Sequence, residues 1–298
     1  MNNTFSLQRR QILKTLALSS CLLPFGFAHA APASVDPKRV VALEWLPTEI
    51  LMALGVAPYG VSDIATYREW VGEPALPPQT IDVGLRTEPN MELLIEMRPS
   101  LILYSPGFGP SVQQINRVAP GMPVTFTDGS QPLVAARKSI TEVGARLGMA
   151  DVAQRHLADF DQFIVELKQR LAPYRNRPLL LMTFLDERHA LVIGRNSLFQ
   201  QVMDLLGLQN AWQGEVNFWG SAIVGVERLA AVQTQDVICF GHGANGMMQK
   251  VMDTPLWKAM PFIRHGRFHM APQVWFYGAT LSAMRFCHIL EATLGERS

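Results

Sequence analysis

One arginine and a scatter of aromatic residues at element ends are the side chains of this 298-residue sequence best suited to chemistry. Arg86 lies in Gly84-Leu85-Arg86-Thr87, between a Pro-rich stretch and a predicted helix, away from any run of charge. A guanidinium there offers a planar fork of donors to ligand oxygens, with a surface ion pair as its alternative use. Trp45 follows the first predicted strand, and Tyr67 and Trp70 fall in a predicted loop. Tyr104 and Phe108 flank Ser105-Pro106-Gly107, and Phe218 and Trp219 sit in a polar, Gly-rich stretch. Trp275, Phe276 and Tyr277 precede Gly278. Core packing would account for any one of these rings. Together, in loops at strand ends, they suit the wall of a cleft for a bulky, partly apolar ligand.

Catalytic signatures are missing. There is no Gly-x-Ser-x-Gly elbow and no Gly-x-x-x-x-Gly-Lys loop. Gly241-His242-Gly243 follows a predicted strand, but no dinucleotide fingerprint accompanies it. No cysteine is placed as a nucleophile, and no spacing of carboxylates singles out an acid/base pair. An exported enzyme using the cleft is therefore the weaker reading, and perturbed acids in the cleft would be its mark. Of His156, His189, His242, His265, His269 and His288, only His265 and His269 have helical spacing. Gly266 and Arg267 between them predict a turn into a strand, which sets the two rings apart, so no protein-held metal is expected.

The elements that must position these residues read as α/β. Strands are predicted at Val40–Leu43, Ala57–Val61, Leu101–Tyr104, Val124–Phe126, Leu179–Phe184, Leu191–Ile193 and Val237–Phe240. Helices are predicted at Pro47–Leu54, Met91–Met97, Leu198–Leu206, Val226–Val232 and Ala279–Leu294. Alternation of the two implies largely parallel sheets. Between Pro132 and Ala172 apolar residues recur at helical spacing with a break at Gly148. The second helix there, about Ala150–Leu171 with Asp151 as its candidate cap, would run ~33 Å. The halves echo each other: Leu51-Met-Ala-Leu-Gly-Val56 parallels Met203-Asp-Leu-Leu-Gly-Leu208, and Met91-Glu-Leu-Leu94 parallels Val226-Glu-Arg-Leu229. The organisation expected is two Rossmann-like α/β lobes, 31–148 and 173–298, joined by a single long α-helix, 149–172.

Residues 1–30 read as a signal peptide of twin-arginine type: Arg9-Arg10, an apolar run, then Ala28-His29-Ala30. Lipidation at Cys21 is the alternative to a soluble periplasmic product. Lys and Arg number 26 against 25 Asp and Glu, which excludes the basic excess of a nucleic-acid binder. With 48% hydrophobic and 17% charged residues the chain is not disordered. Three cysteines make no disulfide scaffold, and Cys239 and Cys287 read as buried free thiols.

Val41-Ala-Leu-Glu-Trp45-Leu-Pro47, Asp82-Val-Gly-Leu-Arg86-Thr-Glu-Pro-Asn90, Asn196-Ser-Leu-Phe-Gln200, Ala211-Trp-Gln-Gly214, Asn217-Phe-Trp-Gly220 and Val274-Trp-Phe-Tyr-Gly-Ala-Thr-Leu-Ser282 carry a resemblance. Over essentially the whole chain the sequence resembles the ferric-hydroxamate-binding periplasmic proteins, within the helical-backbone class of substrate-binding proteins. The resemblance implies capture of ferrichrome, coprogen or ferrioxamine-type siderophores and their delivery, by a monomer, to an inner-membrane ABC permease. It implies that Fe(III) enters as a pre-formed siderophore complex, so that no cofactor is bound by protein ligands. Arg86 matches the family arginine that meets hydroxamate oxygens. Trp45, Trp70, Trp219, Trp275 and Tyr277 match the aromatic lining, with Ser221 beside it. The family tyrosine that shares the hydroxamate contact falls at Phe108, which has no hydroxyl, and Tyr104 is the nearby candidate to replace it. Glu92 and Glu227 match the acids, one per lobe, that pair with importer arginines. Cobalamin, haem and catecholate siderophores are the alternative ligands of the same class.

Overall fold

Short apolar runs closed by turn residues form the first sheet: β1 (Val40–Ala42), β2 (Gly60–Val61), β3 (Ile81–Asp82), β4 (Leu101–Tyr104) and β5 (Gly121–Pro123). The computed structural model describes residues 35–234, 236–241 and 245–295. The expected signal segment with Cys21, and His242 and Gly243, lie outside the described residues. The strands run in the order β3-β2-β1-β4-β5, all parallel. Helices cover such a sheet on both faces, which is why β1 and β4 are buried at every residue and show no polar alternation. The crossovers are α1 (Trp45–Ala53), α2 (Ile64–Trp70), α3 (Met91–Met97) and α4 (Val112–Val118).

Two expectations shift here. Tyr67 and Trp70 lie on α2, not in a loop. No side-chain cap marks its start, where Asp63 stands in the left-handed region, and packing of Ile64 and Tyr67 against Trp45 and Val61 holds it in place. The strand expected at Val124–Phe126 forms three residues earlier. β4 ends at Tyr104, opposite Pro123, so the chain leaves the sheet after Val124 donates its N–H to the Tyr104 carbonyl at 2.8 Å.

From the first sheet the chain passes through α5 (Pro132–Arg146) and α6 (Ala150–Arg170) to the second. α6 has 21 residues, about 32 Å at 1.5 Å per residue. Asp151 does not cap it: Met149 holds the cap position, and Asp151 pairs within the first turn with Arg155 at 2.8 Å. The corner is instead set by Gly148 at φ +70° and by the Met149 N–H bonding the Gly144 carbonyl at 2.7 Å.

The second sheet contains β6 (Leu179–Phe184), β7 (His189–Ile193), β8 (Ser221–Gly225), β9 (Asp236–Phe240) and β10 (Phe268–Ala271), in the order β10-β9-β6-β7-β8. It is mixed rather than largely parallel: β6, β9 and β10 are parallel, while β7 is antiparallel to both β6 and β8. The four residues between β6 and β7 are too few for a crossover, and Asp186 closes the turn by accepting the N–H groups of Arg188 and His189. β8 follows the Gly-rich stretch, where its period is too short to read. Around this sheet lie α7 (Leu198–Leu206), α8 (Asn245–Met252), α9 (Pro255–Lys258), α10 (Pro261–Arg264) and α11 (Thr280–Gly295). Val226–Ala231 is a three-ten turn.

The sequence echo has a local physical counterpart. Gly55 and Gly207 stand at φ +72° and +74°, and in both places the next residue returns its N–H five residues back, Val56 to Leu51 and Leu208 to Met203, each at 2.9 Å. One hydrophobic cluster runs through both halves, including Leu46 and Ile50 of α1, Ile140 of α5, Phe160 and Ile164 of α6, Phe199 of α7 and Phe286 of α11. Phe199 stacks on Phe286 with centroids 4.1 Å apart. Cys239 and Cys287 are free and buried, in separate clusters.

Candidate functional site

Four loops leave the carboxyl ends of β1, β3, β4 and β5 on the same side of the first sheet, the usual ligand edge of such a fold. With Phe218-Trp219 and Trp275–Tyr277 from the second half they enclose a cleft of about 520 Å³, a size normal for a small-molecule site. Two larger cavities, about 920 and 900 Å³, lie elsewhere. The first is lined by Gln200, Gln201, Asn210 and Gln213, side chains already bonded to their own neighbours. The smaller cleft joins Arg86 to a wall of aromatic rings, Phe108, Phe126, Trp219, Trp275 and Tyr277.

Arg86 is fixed from three sides. Its Nη1 donates to Glu44 Oε1 at 2.9 Å, its Nε lies 3.5 Å from Asp63 Oδ2, and its guanidinium carbon sits 3.5 Å from the Trp45 ring centroid. Its backbone N–H donates to the same Asp63 oxygen at 3.2 Å. Asp63 is at φ +57°, an unusual conformation for a residue with a Cβ, and that turn aims its carboxylate at Arg86. Glu44 also caps α1, accepting the Leu46 N–H at 2.8 Å on its other oxygen. Gly109 allows the Ser105–Phe108 loop to close on this strand end, since a Cβ there would lie 2.7 Å from the Arg86 carbonyl oxygen. Phe108 thereby places its ring 5.5 Å from the guanidinium carbon, 40% exposed.

Edge-to-face rings continue the wall from Arg86, whose guanidinium carbon lies 5.8 Å from the Trp275 ring centroid. Trp275 meets Trp45 at 4.7 Å and Tyr277 at 5.2 Å. Tyr277 meets Phe126 at 5.6 Å and Trp219 at 5.9 Å. Burial pushes the Tyr277 phenol up, opposed by its 3.3 Å hydrogen bond with Ser221 Oγ, so the ring is neutral at physiological pH. Trp219 and Phe218 are 47% and 54% exposed at the mouth and meet edge to face, centroids 5.2 Å apart.

Of the residues expected in the lining, Arg86, Phe108, Trp219, Trp275 and Tyr277 come together on the cleft. Four others stand behind it. Trp45 is 1% exposed, with its indole N–H on the Ser62 carbonyl, and carries Arg86 on its face. Trp70 packs into the Trp45 cluster from the end of α2. Tyr104 projects from the opposite face of β4 to Leu103, into the cluster of Val41, Leu94 and Ile115, and so supplies no hydroxyl beside Phe108. Ser221 is fully buried between Asn217 and Tyr277. The sequence reading missed Glu44 and Phe126. Glu44 had a signal, as the acid between the first strand and Trp45; Phe126 looked like a strand residue.

Glu92 and Glu227 are exposed in the first turns of α3 and of the Val226–Ala231 turn, and neither lines the cleft. Among the described residues no group of three or more His, Cys, Asp or Glu could hold a metal ion. His265 follows α10 while His269 lies in β10, 3.2 Å from Asp236. No helix among the described residues is long and apolar enough to cross a membrane.

A family model described as periplasmic binding protein matches residues 40–274. The chain is 53% identical over 292 residues to the iron(3+)-hydroxamate-binding protein FhuD of Escherichia coli (strain K12), covering 98% of each. Among solved structures it is similar to FhuD from Vibrio cholerae with Fe3+–Desferal bound, at TM-score 0.79 and 27% identity over 87% of this chain and 98% of that one. It also shares its fold with FeuA from Bacillus subtilis, solved with Ferri-Bacillibactin, at TM-score 0.71 and 17% identity over 88% and 95% of the two chains.

Proposed function

The chain belongs to the periplasmic binding protein family, and on that premise we propose that its cleft captures a ferric hydroxamate siderophore for delivery to an ABC importer. The observation that carries this reading is the pairing of one braced guanidinium, Arg86, with an adjoining wall of Trp219, Trp275 and Tyr277 in one cleft. A hydroxamate chelate needs both. Its iron-bound oxygens accept hydrogen bonds, and its carbon skeleton needs apolar contact. The siderophore fills the coordination sphere of Fe(III), so the iron is cargo and the protein contributes no ligand to it.

Charge favours hydroxamate over catecholate. Fe(III) with three hydroxamates is neutral, and with three catecholates trianionic. Arg86 is formally one cation between two carboxylates, Glu44 and Asp63. That set leaves no positive excess to meet a trianion, whereas it leaves directional donors for a neutral chelate.

The remaining roles follow from this reading. Residues 31–148 and 173–298 act as lobes with 149–172 as a stiff link, and the apolar cluster common to both halves limits closure on the ligand. Glu92 and Glu227 offer a carboxylate from each half to basic groups on the permease. The leader directs the protein to the periplasm, and capture and release require no catalytic step.

Tryptophan-fluorescence titration of the purified mature protein tests the ligand. Ferrichrome, ferrioxamine B, a ferric catecholate, haemin and cyanocobalamin are compared, with gallium chelates controlling for quenching by iron. Saturable binding of the hydroxamates alone is the expected result. Saturation by one of the others without hydroxamate binding would replace the ligand and leave the fold assignment standing.

A further inference from the structure

Glu49 lies on α1 in the first half of the chain, 1% exposed, and has no part in the cleft lining. Its carboxylate is spent on the second half. Oε1 accepts the backbone N–H groups of Ala279 and Ser282, each at 2.8 Å, and Oε2 accepts the Ser282 hydroxyl at 2.6 Å. Those groups form the start of α11, whose first-turn N–H groups need an outside acceptor and favour an anion. A residue 230 positions away in sequence thus caps this helix. Gly278 lets the carboxylate approach, since a Cβ there would lie 2.2 Å from Glu49 Oε2. On the other side of the same turn, His156 of α6 bonds Thr280 Oγ1 at 2.7 Å.

The capped turn directly follows the aromatic wall. Trp275 and Tyr277 precede α11 by five and three residues. Trp275 packs at 4.7 Å on Trp45, which opens the same helix α1 that carries Glu49. Segment 275–282 is therefore fastened to α1 at both ends, by a ring contact at one and by three hydrogen bonds at the other. That anchoring places the wall from the second half in the frame of the first half, where Arg86 also rests on Trp45.

We propose that Glu49 is a positioning residue for ligand capture, fixing the Trp275–Tyr277 wall beside Arg86 by holding the first turn of α11 to α1. The role rests on the cleft being the ligand site as proposed above. Glu49 touches no ligand; it holds the aromatic wall in register with Arg86.

A double-mutant cycle separates this role from a merely structural one. Ferrichrome affinity is measured for wild type, Glu49→Ala, Trp275→Phe and the double variant, at a temperature where each is folded by circular dichroism. Glu49→Ala is expected to weaken binding about tenfold, and Trp275→Phe to cost clearly less in the Glu49→Ala background than in wild type, because coupled sites are not additive. If Glu49→Ala does not fold, Ser282→Ala carries the same cycle, with an expected loss of about threefold because one of the three hydrogen bonds is removed. Wild-type affinity in the single variant, or an equal Trp275→Phe factor in both backgrounds, overturns the proposal. Acrylamide quenching reads the wall without ligand, as the difference between each protein and its Trp275→Phe counterpart. Greater accessibility of Trp275 is expected in the Glu49 or Ser282 variant, and unchanged quenching overturns the proposal. If wild type binds no hydroxamate, the proposed ligand fails and the quenching comparison alone decides the role of Glu49.

Discussion

The guanidinium carbon of Arg86 lies 3.5 Å above the Trp45 ring while Glu44 holds its Nη1 at 2.9 Å. Stacking and pairing together fix the plane of the fork before any ligand arrives, so little side-chain freedom is lost on binding. Arg86→Ala removes donors to polarised oxygens, worth about 1.5–3 kcal/mol, a loss of roughly 10- to 150-fold in siderophore affinity. Arg86→Lys should recover only part of it, because an ammonium cannot reproduce the stacked fork. Fluorescence titration reads both; a loss below about threefold for the alanine variant, under 1 kcal/mol, would remove Arg86 from the contact.

Phe108 offers the converse experiment. Its ring is already 5.5 Å from the Arg86 guanidinium carbon and borders the cleft. Phe108→Tyr adds a hydroxyl donor there, and one net hydrogen bond of about 0.5–1.5 kcal/mol should tighten hydroxamate binding roughly 2- to 12-fold. Unchanged affinity would show that the added hydroxyl meets solvent rather than ligand.

Delivery should separate from capture. Reversing charge at both Glu92 and Glu227 places lysines where the permease would meet carboxylates, at exposed positions outside the cleft. Siderophore uptake into cells should fall sharply while the dissociation constant of the purified protein stays that of wild type. Normal uptake by the double variant would end the docking assignment.

The burial of His156 should give the fold a pH dependence whose sign follows from its cause. Burial lowers its pKa below 6.5, opposed by Asp159, while its ring bonds Thr280 at 2.7 Å. The unfolded chain therefore takes up a proton more readily than the folded one. The stability tied to this site is complete above the unfolded pKa and is lost as pH falls through the folded one. Thermal unfolding between pH 8 and 5 should show Tm falling on the acid side, with a shallower fall in His156→Gln. Equal slopes would place the dependence elsewhere.

Both buried thiols should be inert in the native protein. Burial pushes Cys239 up to about 12 and raises Cys287 as well, so neither forms appreciable thiolate at neutral pH. Ellman's reagent is expected to label neither until denaturant opens the core. Labelling of the folded protein would reveal local opening at β9 or α11.

Local rules made much of the architecture legible. Gly207 ends α7 where the apolar period stops, α3 spans the predicted Met91–Met97, and the apolar run Leu179–Phe184 became a fully buried strand. Short elements held by neighbours were not legible. α2, with Tyr67 and Trp70, depends on the Trp45 cluster, and β8 depends on its pairing with β7. α2 opens without a side-chain cap and on the weak helix formers Ile64, Thr66 and Tyr67, and edge strand β8 adjoins a Gly-rich stretch, so neither stands out from a loop.

The sequence by itself determined the α/β class, the long helical passage between two sheets, and the residue types a chelate needs: Arg86 and the rings at 108, 219, 275 and 277. Only the tertiary structure decided which side chains line the cleft. Trp45 and Tyr104 have the same aromatic character as Trp275 and Tyr277, yet the first supports the arginine from beneath and the second points into the sheet's other face. Burial and hydrogen-bond partners arise from segments distant in sequence, such as Glu44 reaching Arg86 and Glu49 reaching Ser282. Periodicity records which face of its own element a residue occupies, and the element covering that face is fixed only when the chain closes on itself.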